Sequence, residues 1–134
     1  MACNASECGT YIRLTLFATM LTLTGACTNS QLSREDIKIA ASDLRSYAAA
    51  AGMLTEQHGR TTSIFFRSQT DMLREKVNDE RSGLDANGGE NEIYRVRAYE
   101  VAERLDSLLG SSSDEANFTR CFADARDIEE ALDQ

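Results

Sequence analysis

Apolar residues recur every three or four positions along the stretch that follows Ser33. They are Ile37, Ala40, Ala41, Leu44, Tyr47, Ala48, Ala51 and Leu54. This spacing gathers apolar side chains on one face of a helix. Ser33 and the acids after it suit a helix start, because the hydroxyl and carboxylates can bind the free amides of the first turn. The pattern therefore predicts an amphipathic helix that begins at Ser33.

A second helix is predicted after the polar segment 58–63. Its less polar side carries Phe65, Phe66, Gln69, Met72, Leu73, Lys76 and Val77. Phe65 and Phe66 are about 100° apart on the helix, so only one can point squarely to the core; core packing is favoured for the other, which could alternatively meet a partner or a neighbouring helix. Gly59 would cost about 1 kcal/mol inside a helix, and the Thr and Ser residues behind it can cap a new one, so we predict a break near Gly59. The alternative is one continuous helix over 33–82, about 75 Å long. It is suggested by a seven-residue spacing that runs unbroken from Ile37 to Met72.

Two further helices are predicted beyond the glycine-rich loop 83–90. The third helix starts near Asn91 and presents Tyr94, Ala98, Val101, Leu105 and Leu108, with Ile93 and Leu109 beside them. A serine-rich segment ends it, and Ser112 with Glu115 is predicted to form a capping box for the last helix. The apolar seam of the fourth helix is Phe118, Cys121, Ala125, Ile128 and Leu132.

Residues 33–134 are therefore predicted to form one all-α domain. Helices of about twenty residues joined by short loops favour an up-and-down four-helix bundle. The alternative fold packs the continuous helix 33–82 against two shorter antiparallel helices. The absence of proline and the abundance of alanine, leucine and glutamate favour helix in both cases.

The net charge of −8 narrows the classes of partner. Nucleic-acid binding is not expected, because phosphate recognition needs clustered lysine and arginine. Anionic lipid headgroups would also repel an acidic chain. Any attachment to a membrane must then be covalent or hydrophobic.

An apolar run from Leu14 to Leu23 precedes the helical domain. It is about ten residues long, whereas a bilayer span takes about twenty. A short apolar core followed by small residues is typical of a secretory signal. A buried N-terminal helix is the alternative.

The residues Thr24, Gly25, Ala26 and Cys27 follow this run. They resemble the lipobox of bacterial lipoprotein signal peptides. The resemblance implies cleavage after Ala26, a diacylglycerol on the Cys27 sulfur, and a fatty-acyl chain such as palmitate on the new amino terminus. It divides the chain into a signal peptide over 1–26, a lipidated cysteine with a short tether over 27–32, and the helical domain over 33–134.

The residue after the lipidated cysteine helps to indicate which membrane a bacterial lipoprotein is held in. In Gram-negative lipoproteins an aspartate there commonly retains the protein at the inner membrane. Thr28 occupies this position, so the resemblance implies an outer-membrane lipoprotein that faces the periplasm. The tether 28–32 spans about 15–17 Å when extended, which would keep the domain close to the membrane.

Candidate reactive side chains are few. His58 is the sole histidine; it could titrate near neutral pH, ligate a metal or haem, or stabilise a helix end. Cys121 is the one cysteine left in the domain if Cys27 is lipidated. Its place on an apolar seam favours a buried structural thiol, with an intermolecular disulfide as the alternative. His58, Tyr47 and Cys121 are the candidate ligand-binding residues.

No catalytic residue, metal site or cofactor is predicted. No cysteine pair has the CxxC spacing, Thr55 interrupts the Glu-x-x-His pattern of di-iron bundles, and no CxxCH haem motif is present. The late acids Asp124, Asp127, Glu129, Glu130 and Asp133 are predicted to form a solvated helix face. An enzyme is not expected, because no nucleophile–base pairing or phosphate loop appears.

Two functions remain open from the sequence. The first is a lipoprotein that is anchored in the bacterial cell envelope and has an interaction or structural role with a protein partner. The second is a helical module that holds a small ligand, a metal or haem between its helices. His58, Tyr47 and Cys121 would carry the second function.

Overall fold

The computed structural model describes residues 31–111 and 115–134. Four α-helices follow one another: α1 Arg34–Glu56, α2 Ser63–Gly83, α3 Glu92–Leu109 and α4 Glu115–Leu132, with a 3-10 turn at Gly89–Asn91 before α3. The helices pack against each other as a four-helix bundle, which confirms the all-α prediction. Three predicted features lie outside the described residues, namely the signal peptide, the Cys27 lipidation site and the Ser112 cap.

The start of α1 follows directly from the sequence. The backbone N–H of Asp36 donates to Ser33 Oγ at 3.1 Å, and the Ser33 N–H donates to the Asp36 carboxylate at 3.0 Å. This reciprocal capping box satisfies two amides that the first turn leaves free. Hydrogen bonds from the Ser33 side chain and backbone hold the pKa of Asp36 below its ordinary value. The predicted helix start at Ser33 is confirmed.

One helix ends at Glu56 and the next begins at Ser63, so the alternative prediction of a continuous helix over 33–82 is wrong. Gly59 has φ +92°, a left-handed conformation that glycine adopts without strain. Thr62 then caps α2, accepting a hydrogen bond from the Phe65 N–H at 3.3 Å. The seven-residue spacing is coincidental: its members Ile37, Leu44 and Ala51 are buried, whereas His58, Phe65 and Met72 are exposed.

The core is formed mainly between α1 and α4, the pair of helices in most extensive contact. Small buried residues line α1, namely Ala40, Ala41, Ala48 and Ala51. They let α4 approach closely: a Cβ placed on Gly52 would lie 3.8 Å from the Phe118 Cβ. The predicted seam of α4 is confirmed, because Phe118, Cys121, Ala125, Ile128 and Leu132 are all buried.

The loop between α2 and α3 is part of the packed structure. Leu84 caps the end of α2 and is fully buried, although the sequence placed it in a polar loop. Arg95 donates to the Leu84 carbonyl at 2.6 Å and binds the Glu92 carboxylate. The same carboxylate accepts the Gly88 N–H at 2.8 Å. These bonds join the loop to the first turn of α3.

Replacing Glu92 with glutamine is expected to lower Tm at neutral pH. The difference in Tm between the two proteins should become smaller as the pH falls. The Arg95 guanidinium, and then the Gly88 N–H, lower the pKa of Glu92 from 4.5 to about 2. Folding therefore favours the ionised carboxylate, so its stabilisation is present above pH 4.5 and is lost as the pH falls towards 2. Thermal unfolding of both proteins between pH 2 and 7 measures this. Glu103→Gln, at an exposed site on α3, is the control and should show no such convergence.

Candidate functional site

A cavity of about 420 Å³ opens at the end of the bundle where the chain turns from α1 into α2. Its lining comes from all four helices and the two turns between them: Ala51, Leu54, Thr55, His58, Phe66, Thr70, Leu108, Leu109, Ser111 and Phe118. The volume falls within the range of small-ligand sites, about 300–1,000 Å³.

His58 and Phe66 are the aromatic pair of this cavity. Their ring centroids are 4.6 Å apart and their planes meet at 77°, an edge-to-face contact. The hydroxyls of Thr55 and Thr70 donate within their own helices, to the Ala51 and Phe66 carbonyls at 2.9 Å each. Since these donors are engaged, the exposed imidazole of His58 is the main polar group offered to the cavity.

The three candidate residues do not converge on this cavity. His58 lines it, but Tyr47 and Cys121 do not. Tyr47 is half-buried on α1, where burial, and then the charges of Asp43, Glu80 and Asp79, raise the pKa of its phenol. The phenol is therefore held in its neutral form. A single ligand site built from all three residues is not supported by this geometry.

Cys121 is buried in the core, as its place on the α4 seam predicts. Burial is the largest influence on the thiol and raises its pKa, which the charge of Arg104 partly offsets. A buried protonated thiol is a poor nucleophile and behaves as a small apolar side chain.

Three of the predicted late acids pair with basic side chains of other helices. Asp133 pairs with Lys38, Glu129 with Arg45 at 2.7 Å, and Asp124 with Arg104 at 2.5 Å. The other two acids pair with Arg126 of their own helix. The predicted face is therefore largely exposed and is linked to α1 and α3 by ion pairs. Within residues 31–111 and 115–134, no cluster of three or more histidine, cysteine or acidic side chains is placed to hold a metal ion.

The first half of α2 carries a second surface of interest. Ile64, Arg67, Ser68, Asp71, Met72 and Glu75 line one shallow groove, here termed the outer face of α2. Phe65 lies at its edge. The exposed fractions are 81% for Ile64, 48% for Phe65 and 44% for Met72. Two residues of α2 are buried, Leu73 and Val77, and both lie on the opposite side of the helix.

The sequence predicted this part of the chain only in part. Leu73 and Val77 are buried as expected, whereas Met72 is exposed. Of the two adjacent rings, Phe66 is half-buried and Phe65 is the one left exposed. Ile64 was not singled out at all. The signal that could have found the outer face is the four-residue spacing of Ile64, Ser68 and Met72, which places two large apolar side chains on one ridge around a small residue.

Comparisons with known proteins give no relative. No protein-family model matches the sequence, and neither characterised proteins nor solved structures give a match. Over the described ranges, none of the helices combines the length and apolar character that a bilayer crossing requires.

Proposed function

We propose that this protein is a lipid-anchored helical interaction protein of the bacterial cell envelope. It is held at the outer membrane through Cys27, faces the periplasm and presents the outer face of α2 to a protein partner. The observation that carries the interaction role is the exposure of Ile64, Phe65 and Met72 on a helix whose first half buries none of its side chains. Contiguous exposed apolar side chains mark interaction sites more often than single ones do.

The chemistry of the remaining surface supports an interaction role over catalysis. The one thiol of the described domain is buried, and its pKa is raised. Three of the late acids are occupied by ion pairs with Lys38, Arg45 and Arg104. The features of the described surface that best suit another molecule are the outer face of α2 and the cavity beside His58.

The path from the anchor to the bundle is short. The Leu32 N–H donates to the Asn87 carbonyl at 2.9 Å, which fixes the end of the tether to the loop before α3. About four residues remain between Cys27 and this point, enough for about 14 Å when extended. The proposal thus places the bundle within about one helix diameter of the lipid surface.

Intact mass spectrometry of protein from the membrane fraction tests the anchor. We expect a chain that begins at Cys27 and carries the added mass of its acyl groups. Cys27→Ala should remove both the acyl mass and the cleavage after Ala26, whereas Cys8→Ala, in the segment that is removed, should leave the mature mass unchanged. An unprocessed chain that begins at Met1 would contradict the anchor.

A second candidate function rests on the cavity beside His58. We infer that it suits a small, largely apolar molecule with one polar group directed at the imidazole. Native mass spectrometry of protein purified without detergent would show the bound mass. Leu108→Trp fills the cavity and should abolish it, whereas Ile93→Trp, at an exposed position of the same helix, should not. An apo protein from the native host would rule this function out.

A further inference from the structure

Three residues of the outer face of α2 follow the same order of sizes in both directions along the helix. Ile64, Ser68 and Met72 are spaced by four residues, so they form one ridge with a large apolar side chain at each end and a small one in the middle. A rotation of 180° about an axis beside Ser68 exchanges the two ends. This ridge can therefore lie against the same ridge of a second copy.

We propose that the partner of this surface is a second copy of the chain, with two α2 helices packed antiparallel about a two-fold axis at Ser68. Ile64 of each copy then lies against Met72 of the other, and the two Ser68 residues meet at the axis. The small serine side chains permit close contact of the helices. The proposal rests on the interaction role proposed above but does not depend on the lipid anchor.

The charges of the face fit the same arrangement. Arg67 and Asp71 flank the ridge, one on each side of Ser68 along the helix. Among the described residues, neither makes an ion pair, whereas Arg74 on the next turn is bound to Asp106. In the antiparallel pair, Arg67 of one copy comes within about two residues, or 3 Å along the axis, of Asp71 of the other. Two such ion pairs form for every dimer.

A parallel pair of α2 helices would not satisfy this surface. It would place Arg67 beside Arg67 and Asp71 beside Asp71 of the second copy. Like charges at the same level repel each other, and Arg67 of one copy would not reach the level of Asp71 of the other. The charges therefore favour the antiparallel orientation.

Cysteine cross-linking of the full chain in detergent micelles tests the geometry. Ser68→Cys places two thiols at the axis, within the Cα separation of about 4.4–6.8 Å that a disulfide needs. Ser82→Cys is the matched control, an exposed serine of the same helix about 21 Å from the axis. Under mild oxidation most Ser68→Cys protein should form a covalent dimer, and Ser82→Cys should form no more than the wild-type chain.

Charge reversal tests the ion pairs independently. Arg67→Asp and Asp71→Arg should each weaken dimerisation about tenfold, as measured by sedimentation, because each creates two like-charge contacts. The double variant Arg67→Asp/Asp71→Arg restores opposite charges and should recover the wild-type dimer. Circular dichroism and thermal unfolding of each variant control for the like-charge i,i+4 pair that each single reversal also creates within α2.

Three results would overturn the proposal. One is a monomer in sedimentation at every concentration up to about 100 μM. Another is cross-linking of Ser82→Cys as strong as that of Ser68→Cys, which indicates parallel helices. The third is an outer face that binds lipid vesicles or a different protein while Ser68→Cys stays uncross-linked. Intact mass measured on the same samples reports the anchor separately, so failure of the dimer is distinguishable from failure of the proposed attachment.

Discussion

Replacing Leu44 with alanine is expected to lower the free energy of unfolding by about 2–5 kcal/mol. Leu44 is fully buried on the face of α1 that forms the core. The substitution removes buried methyl groups and leaves a cavity that neighbouring helices fill only in part, so both transfer and packing energy are lost. Urea denaturation of the two proteins, followed by circular dichroism, measures the difference.

The matched control for Leu44 is Ile39→Ala. Ile39 lies on the same helix but is exposed, so its loss should cost less than about 0.5 kcal/mol. Equal destabilisation by the two substitutions would contradict the core described above. It would mean that α1 turns a different face towards the bundle.

Replacing Ala48 with leucine is expected to destabilise the bundle by about 1–3 kcal/mol or more. Ala48 is buried on the small-residue face of α1, where α4 approaches closely. The methyl group of Ala48 is almost fully enclosed, and the nearest free space is a shallow cleft shared with Gly52 and Phe118, so a leucine there pushes the helices apart or forces side chains out of their preferred rotamers. Thermal unfolding monitored at 222 nm would show the lower Tm.

The neighbouring residue provides an unusually close control for this substitution. Ala49 is exposed, and Ala49→Leu makes the same chemical change at the next position of the same helix. The helix propensity of the two substitutions is therefore equal, and the difference between them isolates packing. If Ala49→Leu were as damaging as Ala48→Leu, close packing of α1 on α4 would not be the cause.

The helices that form the core were predictable because their patterns are unambiguous. On α1 and α4 the apolar residues fall on one face and nearly all other positions are polar or small, so only one orientation buries them. The capping box at Ser33 is equally local, because every atom in it comes from four consecutive residues. Short-range chemistry of this kind is visible in a sequence.

The first half of α2 was not predictable for the opposite reason. Ile64, Phe65 and Phe66 are consecutive and point in three directions, so the sequence allows several faces to be buried. Which face turns inward is decided by packing against α1 and α3, which the local pattern of α2 does not encode. The seven-residue spacing alone suggested that the helical pattern of α1 continues through Gly59. In the structure, the left-handed conformation of Gly59 ends that pattern.

The candidate site was also predictable only in part. The burial of Cys121 followed from its place on a seam, but the cavity beside His58 did not. That cavity needs the ends of several helices to meet around Phe66, and no local pattern encodes such a meeting. Leu84 shows the same limit, because a loop composition concealed a fully buried residue.

The hydrogen bond from Arg34 Nε to the Leu132 carbonyl, 2.7 Å long, determines where a label can be attached. It brings the first turn of α1 beside the last turn of α4, so Gln134 and Leu32 lie at one pole of the bundle. The turn at Gly59 lies at the opposite pole, about 35 Å away along α1. Under the proposed anchoring, a reporter fused to Gln134 would lie on the membrane side, whereas a small epitope inserted at Gly59 would lie beside the outer face of α2 and report on its occupancy.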